Sequence, residues 1–125
     1  MTLYAALLYY PSERYWTEPG EAEFSSAYWD FTEAAGAAGV LRGGEALHPA
    51  GTATVITVAD GKGSDVVVSD GPYAEAKEVL GGFYLIEADD LDAAIRWGAQ
   101  IPAAWRGKVE LRPVVPVPGP GVSTG

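Results

Sequence analysis

The stretch that decides the fold runs from Asp70 to Glu87 and reads Asp-Gly-Pro-Tyr-Ala-Glu-Ala-Lys-Glu-Val-Leu-Gly-Gly-Phe-Tyr-Leu-Ile-Glu. It combines a turn, a run of alternating charges, a glycine pair and an apolar strand. Connections between strands usually take about 4–6 residues and need no such density of charge. A long, specified connection is typical of a functional loop, so we expect a site beside it.

Length and composition limit the kinds of protein and of site that this chain can form. At 125 residues the chain fits one domain, which we assign to residues 1–115, followed by a Pro- and Gly-rich tail over residues 116–125. It has no cysteine and one histidine. Disulfides, thiolate nucleophiles and zinc sites built from several Cys or His side chains of one subunit are therefore excluded. We predict no metal site and no cofactor.

Charge and hydropathy narrow the range of partners. The 17 acidic and 8 basic residues give a net charge of −9. This charge disfavours nucleic acid and anionic membranes, because both require a cationic surface. No apolar run approaches the roughly 20 residues that span a bilayer, and the N-terminus lacks the pattern of a signal peptide. We therefore expect a soluble cytoplasmic protein.

Apolar spacing predicts two helices. The first runs from Glu21 to Ala38, where apolar residues recur on one helical face, and Gly39 is suited to end it. The second is capped by Asp89 or Asp90 and stops at Pro102. Its predicted inner face carries Leu91, Ala94, Ile95 and Gly98.

Strands fill the rest of the chain, over residues 2–10, 40–47, 52–59, 64–69, 82–87 and 108–115. Setting aside the hairpin at 52–69 leaves β-α-β-β-α-β, the ferredoxin-like arrangement of the α+β class. Its helices cover one face of the sheet, and we expect Tyr4 and Tyr84 on the other face. A second copy packing sheet against sheet is the simplest cover, so we predict a homodimer.

The motifs of the chain resemble those of the DGPF branch of the YCII-related proteins. The most specific are the run from Asp70 to Glu78 and the Gly-Gly-Phe-Tyr-Leu-Ile segment that follows it. Further matches lie in the first helix, at Gly43-Gly44-Glu45 and at Val109-Glu110-Leu111-Arg112-Pro113. The resemblance covers nearly the whole chain and implies a ferredoxin-like domain that dimerises into an α/β barrel.

The resemblance does not imply a particular reaction for this chain. The wider family has a His in the first helix and an Asp before a Pro near the end of the second, proposed as a catalytic pair. Tyr28 and Ile101 stand near those positions here. Neither transfers a proton unaided near neutral pH, so the His–Asp mechanism does not carry over. The DGPF branch also resembles modules found beside sigma factors, which implies an accessory role in transcription as an alternative.

Two residues are candidates for catalysis. Asp70 opens the signature; it is either a turn residue that accepts backbone N–H bonds or a carboxylate whose pKa an apolar cleft would raise. His48 carries the only imidazole, which makes it the only side chain with an ordinary pKa near neutrality. It stands before Pro49 at the start of a loop, so an exposed loop residue is the competing interpretation.

Further residues are candidates for binding a small organic ligand. Within the signature these are Tyr73, Glu75 and Lys77, of which Lys77 alone could hold a substrate carboxylate. Arg42 and Glu45 are also candidates, and they stand on either side of a glycine pair that marks a bulge or a close backbone approach. An ion pair between Glu45 and Arg42, or between Glu45 and Lys77, is the structural alternative.

Two tyrosines complete the candidate set. Tyr28 and Tyr84 stand among apolar neighbours, where core packing with a bonded hydroxyl competes with a role in the site. The leading hypothesis is a dimeric domain that binds a small organic ligand in a cleft beside the signature loop. Proton transfer without a cofactor is the class of reaction that such a cleft could support.

Overall fold

The structure is a computed structural model of the chain, and it describes residues 1–11, 21–59, 65–71 and 78–116. Strands and helices follow one another in the α+β pattern that the sequence predicts. The strands are β1 (Thr2–Tyr10), β2 (Leu41–Ala46), β3 (Thr54–Ala59), β4 (Asp65–Asp70), β5 (Val79–Ala88) and β6 (Lys108–Pro113). The helices are α1 (Glu21–Ala37), α2 (Leu91–Gly98) and α3 (Ala103–Arg106), with a 3₁₀ turn at Ala50–Thr52.

The strands form two separate sheets. Four of them make an antiparallel sheet in the order β2-β5-β1-β6. The other two, β3 and β4, pair only with each other, as an antiparallel hairpin. The four-stranded sheet with helices between its strands is compatible with the predicted ferredoxin-like arrangement, and the hairpin is the predicted addition to it.

The core lies between the sheet and the helices. From Tyr4 to Tyr10 alternate residues of β1 are buried, because successive side chains of a strand point to opposite faces. The larger cluster of buried residues comprises Ala6, Leu8, Tyr10, Phe31, Ala35, Ile86, Ile101 and Ala103. A smaller one contains Tyr4, Ala88 and Ala94.

The predicted placement of two tyrosines is wrong. Tyr4 is buried against Ala94 of α2, and the Tyr84 ring lies 4.9 Å from that of Phe31 on α1. Both therefore face the helices rather than the open side of the sheet. The strand register instead pairs Ala5 with Leu85 and Leu7 with Phe83. These four half-buried residues form the apolar centre of the face that no described helix covers, which we call the open face.

The second half of the chain departs from the prediction at two points. Strand β5 begins at Val79, three residues before the predicted start, because Val79 and Leu80 pair with Tyr10 and Tyr9 beyond a register shift in β1. A short helix, α3, follows Pro102 and was not predicted. Proline ends a preceding helix, but its fixed φ suits the first turn of a new one.

Among the described residues, no helix is long and apolar enough to cross a lipid bilayer.

Candidate functional site

A cavity of about 520 Å³ lies between α1 and the β1, β5 and β2 strands. Its volume falls in the range of about 300–1,000 Å³ that is typical of small-molecule sites. Apolar side chains and strand glycines make up most of the described lining. Its polar members are Tyr10, Tyr28, Thr32, Glu45 and Tyr84.

Two of these tyrosines join β1 to α1. Tyr10 is the last residue of β1 and is 2% exposed, whereas Tyr28 is half-buried on α1. Their hydroxyl groups are hydrogen-bonded to each other. A buried hydroxyl costs free energy unless it has a partner, so this bond fixes where the helix lies against the end of the strand.

A second pair of hydroxyls lies one helix turn further along the same side of α1. Tyr84 of β5 shares a side-chain hydrogen bond with Thr32, and the Thr32 hydroxyl donates to the carbonyl oxygen of Tyr28 at 3.0 Å. Burial raises the pKa of Tyr84 above its ordinary value of 10, and the bond with Thr32 opposes that shift. Tyr84 is therefore a neutral phenol at physiological pH, able to donate or accept a hydrogen bond.

Glycines let strands β2 and β5 approach closely at the floor of the cavity. A Cβ on Gly44 would lie 2.6 Å from Cδ1 of Tyr84, and one on Gly82 would lie 2.8 Å from the carbonyl oxygen of Glu45. The register of β2 shifts between Leu41 and Gly43, the irregularity that the glycine pair predicts. The flat ring of Tyr84 thus packs on bare backbone.

The charged side chains on either side of the glycine pair of β2 point away from the cavity. Glu45 pairs with Phe83, so alternation puts its side chain on the open face although the residue contributes to the cavity lining. Of the two ion pairs given as the structural alternative for Glu45, the one with Arg42 does not form, and the one with Lys77 involves a residue outside the described ranges. Arg42 Nε instead donates to Glu87 Oε2 at 2.7 Å, and its guanidinium also donates to the carbonyl oxygen of Gly39.

The two candidates for catalysis lie outside the cavity lining. Asp70 ends β4 and is exposed, and the N–H of Gly71 after it donates to the carbonyl oxygen of Ala53 at 2.7 Å. The Asp-Gly pair therefore closes the base of the hairpin. His48 is exposed in the segment after β2.

The remaining signature candidates, Tyr73, Glu75 and Lys77, lie outside the described residues. Of the candidates within the described ranges, Tyr28, Tyr84 and Glu45 are brought together in the cavity lining. In those same ranges no group of three or more His, Cys, Asp or Glu residues could hold a metal ion.

Sequence reasoning missed two polar residues of the cavity. Tyr10 reads as one more apolar residue of β1, and only its position at the strand end, before Pro11, could have signalled it. Thr32 lies four residues after Tyr28, on the same side of a helix, so its proximity to that tyrosine was readable from spacing. Ile101, at the position where a family Asp would stand, is completely buried in the core.

Comparison with known proteins identifies the family to which the chain belongs. The family model for the YCII-related domain matches residues 2–118, and the chain belongs to that family. An uncharacterized protein of Rhizobium meliloti (strain 1021) is 42% identical over 52 residues. That match covers 40% of this chain and 42% of the length of the relative.

Proposed function

We propose that this protein binds a small organic molecule in the cavity between α1 and strands β1, β5 and β2. The observation that carries the proposal is the grouping of four hydroxyls, from Tyr10, Tyr28, Thr32 and Tyr84, around about 520 Å³ of mostly apolar space. Apolar walls with a few placed polar groups are the usual composition of ligand sites.

The chemistry of the lining favours a neutral, planar ligand. Lys, Arg and His do not occur in the described lining, and the carboxylate of Glu45 is turned to the open face. A carboxylate ligand would therefore lose its hydration without gaining a cationic partner there. A ring with a carbonyl or amide group can stack beside Tyr84 and exchange hydrogen bonds with the hydroxyls.

Binding is better supported than catalysis. Burial raises the pKa of Tyr84, so this phenol does not act as a base near neutral pH. Asp70 and His48, the sequence candidates for proton transfer, are exposed and outside the lining. Acid–base chemistry at this cavity would have to use a group from outside the described lining.

The test uses three ligands of matched shape and different charge: benzamide, benzoate and benzylamine. Each is titrated into the full-length protein and followed by amide chemical shifts in two-dimensional NMR. We expect benzamide to shift the amides of Gly44, Gly81 and Gly82, and benzoate to bind at least tenfold more weakly. Tyr84→Phe, which removes one hydroxyl and keeps the ring, should weaken benzamide binding about tenfold, the equivalent of roughly 1.4 kcal/mol.

Arg42→Met is the matched control, because Arg42 is tied to Glu87 and is not part of the cavity lining. It should leave benzamide binding unchanged. Shifts that avoid the three glycine amides, or benzoate binding more tightly than benzamide, would count against a neutral-ligand site. The second result would direct attention to Lys77.

We also propose a homodimer in which a second copy covers the open face. Ala5, Leu7, Phe83 and Leu85 give that face an apolar centre, and charged residues such as Glu45 and Arg112 surround it. This composition, an apolar centre with a polar rim, is typical of an interface. Two such sheets face to face would complete the dimeric α/β barrel that the resemblance to the DGPF branch implies.

Two further expectations from the sequence stay predictions. The accessory role in transcription has no described feature that favours it over ligand binding. The cytoplasmic location rests on the sequence pattern alone.

A further inference from the structure

The hydrogen bonds of Thr32 fix the direction in which its hydroxyl can interact with a ligand. Thr32 lines the cavity, and its hydroxyl donates to the carbonyl oxygen of Tyr28 at 3.0 Å. A carbonyl oxygen can only accept, so the direction of this bond is unambiguous. A threonine hydroxyl has a single proton, and the Thr32 oxygen therefore presents only lone pairs to the cavity.

The hydroxyl of Tyr84 has no proton left for a ligand either. The side chains of Tyr84 and Thr32 are hydrogen-bonded to each other, and both residues line the cavity. Because the Thr32 proton is used in the bond to Tyr28, the neutral Tyr84 hydroxyl must donate its own proton to the Thr32 oxygen. The pair of Thr32 and Tyr84 therefore offers a ligand hydrogen-bond acceptors and no donor.

The folded chain holds both of these oxygens in place. Thr32 lies four residues after Tyr28, so its hydroxyl reaches the carbonyl oxygen one turn back along α1, a common bond for a helical Thr. The ring of Tyr84 packs on the backbone of Gly44 and lies 4.9 Å from the ring of Phe31. Because a phenol oxygen lies on the axis of its ring, fixing the ring also fixes the position of the acceptor.

The other polar groups of the described lining do not impose a direction of their own. The hydroxyls of Tyr10 and Tyr28 are bonded to each other, and either of them could be the donor. Lys, Arg, His, Trp, Asn and Gln do not occur in the described lining, so none of its side chains has a nitrogen that could donate to a ligand. Selection by hydrogen-bond direction therefore takes place at Thr32 and Tyr84.

We infer that the cavity selects a neutral aromatic ligand that carries an N–H or O–H group, such as a primary amide or a phenol, and that this group donates to the oxygen of Tyr84. The inference rests on the proposed binding of a neutral ligand in this cavity. A ketone, an ester or a tertiary amide has only acceptors, so its oxygen would face the lone pairs of Tyr84 with no proton between them. An acceptor that loses water without gaining a donor costs free energy.

Benzamide and acetophenone test this selection, because one carries NH2 and the other CH3 on the same carbonyl carbon. Each is titrated into the full-length protein and followed by amide chemical shifts in two-dimensional NMR. We expect benzamide to bind about fivefold more tightly, the fold-change that corresponds to one hydrogen bond between neutral groups. Burial of apolar surface alone would favour acetophenone, so a preference for benzamide reports the hydrogen bond.

Thr32→Val keeps the branched shape of the side chain and removes the acceptor. The Tyr84 proton is then available to the cavity, so the preference for benzamide should fall below about twofold or reverse in favour of acetophenone. Thr32→Ser is the matched control, because it keeps a hydroxyl that can donate to the Tyr28 carbonyl oxygen. It should bind the two ligands with the wild-type preference.

Ionisation of Tyr84 gives a second readout that needs no ligand. When Tyr84 ionises, the Thr32 proton can turn from the Tyr28 carbonyl oxygen to the phenolate, and this bond lowers the pKa of Tyr84. Thr32→Val should therefore move the titration of Tyr84 to higher pH, and Thr32→Ser should leave it in place. Carbon-13 NMR of labelled tyrosine measures the titration. An unmoved titration in Thr32→Val would mean that the two hydroxyls are not bonded, and it would overturn the inference.

The inference and the proposed function fail in different ways. If both ligands shift the amides of Gly44, Gly81 and Gly82 but acetophenone binds as tightly as benzamide, the cavity is a ligand site and the need for a donor is overturned. A wild-type preference retained in Thr32→Val would overturn it as well. If neither ligand shifts these amides, the proposed function fails and the inference fails with it.

Discussion

The ring of Tyr84 lies directly over Gly44 on the neighbouring strand, so closely that a Cβ on Gly44 would be 2.6 Å from Cδ1 of the ring and 2.8 Å from the carbonyl oxygen of Phe83. This contact fixes the floor of the cavity. It also explains why the glycine pair in β2 belongs to the site although glycine offers no side chain.

Gly44→Ala should therefore destabilise the protein. The added methyl meets a backbone oxygen as well as the ring, so strain of about 1–3 kcal/mol is expected. Gly43→Ala is the control: its Cβ would lie 3.6 Å from Leu85 Cδ1, an ordinary contact, and the change should be neutral or stabilising by up to about 1 kcal/mol. Urea denaturation measures both. Equal effects of the two substitutions would mean that the strands are not held as closely as described.

The bond between the hydroxyls of Tyr10 and Tyr28 should appear as an energetic coupling. Tyr10→Phe and Tyr28→Phe each remove one oxygen and keep the ring. A double-mutant cycle should give a coupling of about 0.5–1.5 kcal/mol, the net value of a hydrogen bond between neutral groups. The free energy of unfolding of the four proteins is the measurement, and strict additivity would show that the bond contributes nothing.

The cap of helix α2 distinguishes two adjacent aspartates. Asp90 Oδ1 accepts a hydrogen bond from the N–H of Ala93 at 2.9 Å, and no such bond is described for Asp89. Asp90→Ala should cost about 1 kcal/mol, and Asp89→Ala much less. Thermal unfolding of the two variants decides the matter. A larger loss of stability for Asp89→Ala than for Asp90→Ala would mean that Asp89 caps the helix.

Ionisation of Tyr84 should make the free energy of unfolding fall at high pH. Burial raises the pKa of Tyr84 in the folded state, whereas the unfolded chain has the ordinary value of 10. The stability that this shift contributes is complete below pH 10 and is lost as the pH rises through the folded pKa. Ultraviolet absorbance of the phenolate, compared between the wild type and Tyr84→Phe, should show one tyrosine ionising above pH 10.

A difference spectrum that titrates below pH 10 would contradict the burial of Tyr84. Tyr9 does not confuse the comparison. Its pKa is also raised, by burial and then by Glu110, but it is present in both proteins.

Much of the site could be read from the sequence, but its assembly could not. Tyr28, Tyr84 and Glu45 were identified as candidates from their neighbours along the chain, and the structure brings them to one cavity. Asp70 was identified in the same way and lies on the hairpin instead. Local sequence indicates which residues are unusual, but not which distant segments meet.

The sequence by itself determined the order of the six strands and of helices α1 and α2, and the presence of the extra hairpin. Alternation, helical spacing and turn residues are local properties, so they can be read without knowing what a segment packs against. It also identified the family, which the match over residues 2–118 confirms. The DGPF branch stays a prediction.

Only the tertiary structure decided which face of each strand meets the helices. Both alternating sets of residues in β1 are apolar: Leu3-Ala5-Leu7-Tyr9 and Tyr4-Ala6-Leu8-Tyr10. Periodicity therefore shows two apolar faces but does not indicate which of them packs against the helices. Packing against α1 and α2 decides which face meets the helices, because it buries Tyr4 and brings the ring of Tyr84 to that of Phe31. Burial of this kind depends on contacts between residues far apart in the chain, and for that reason the cavity is a property of the folded protein alone.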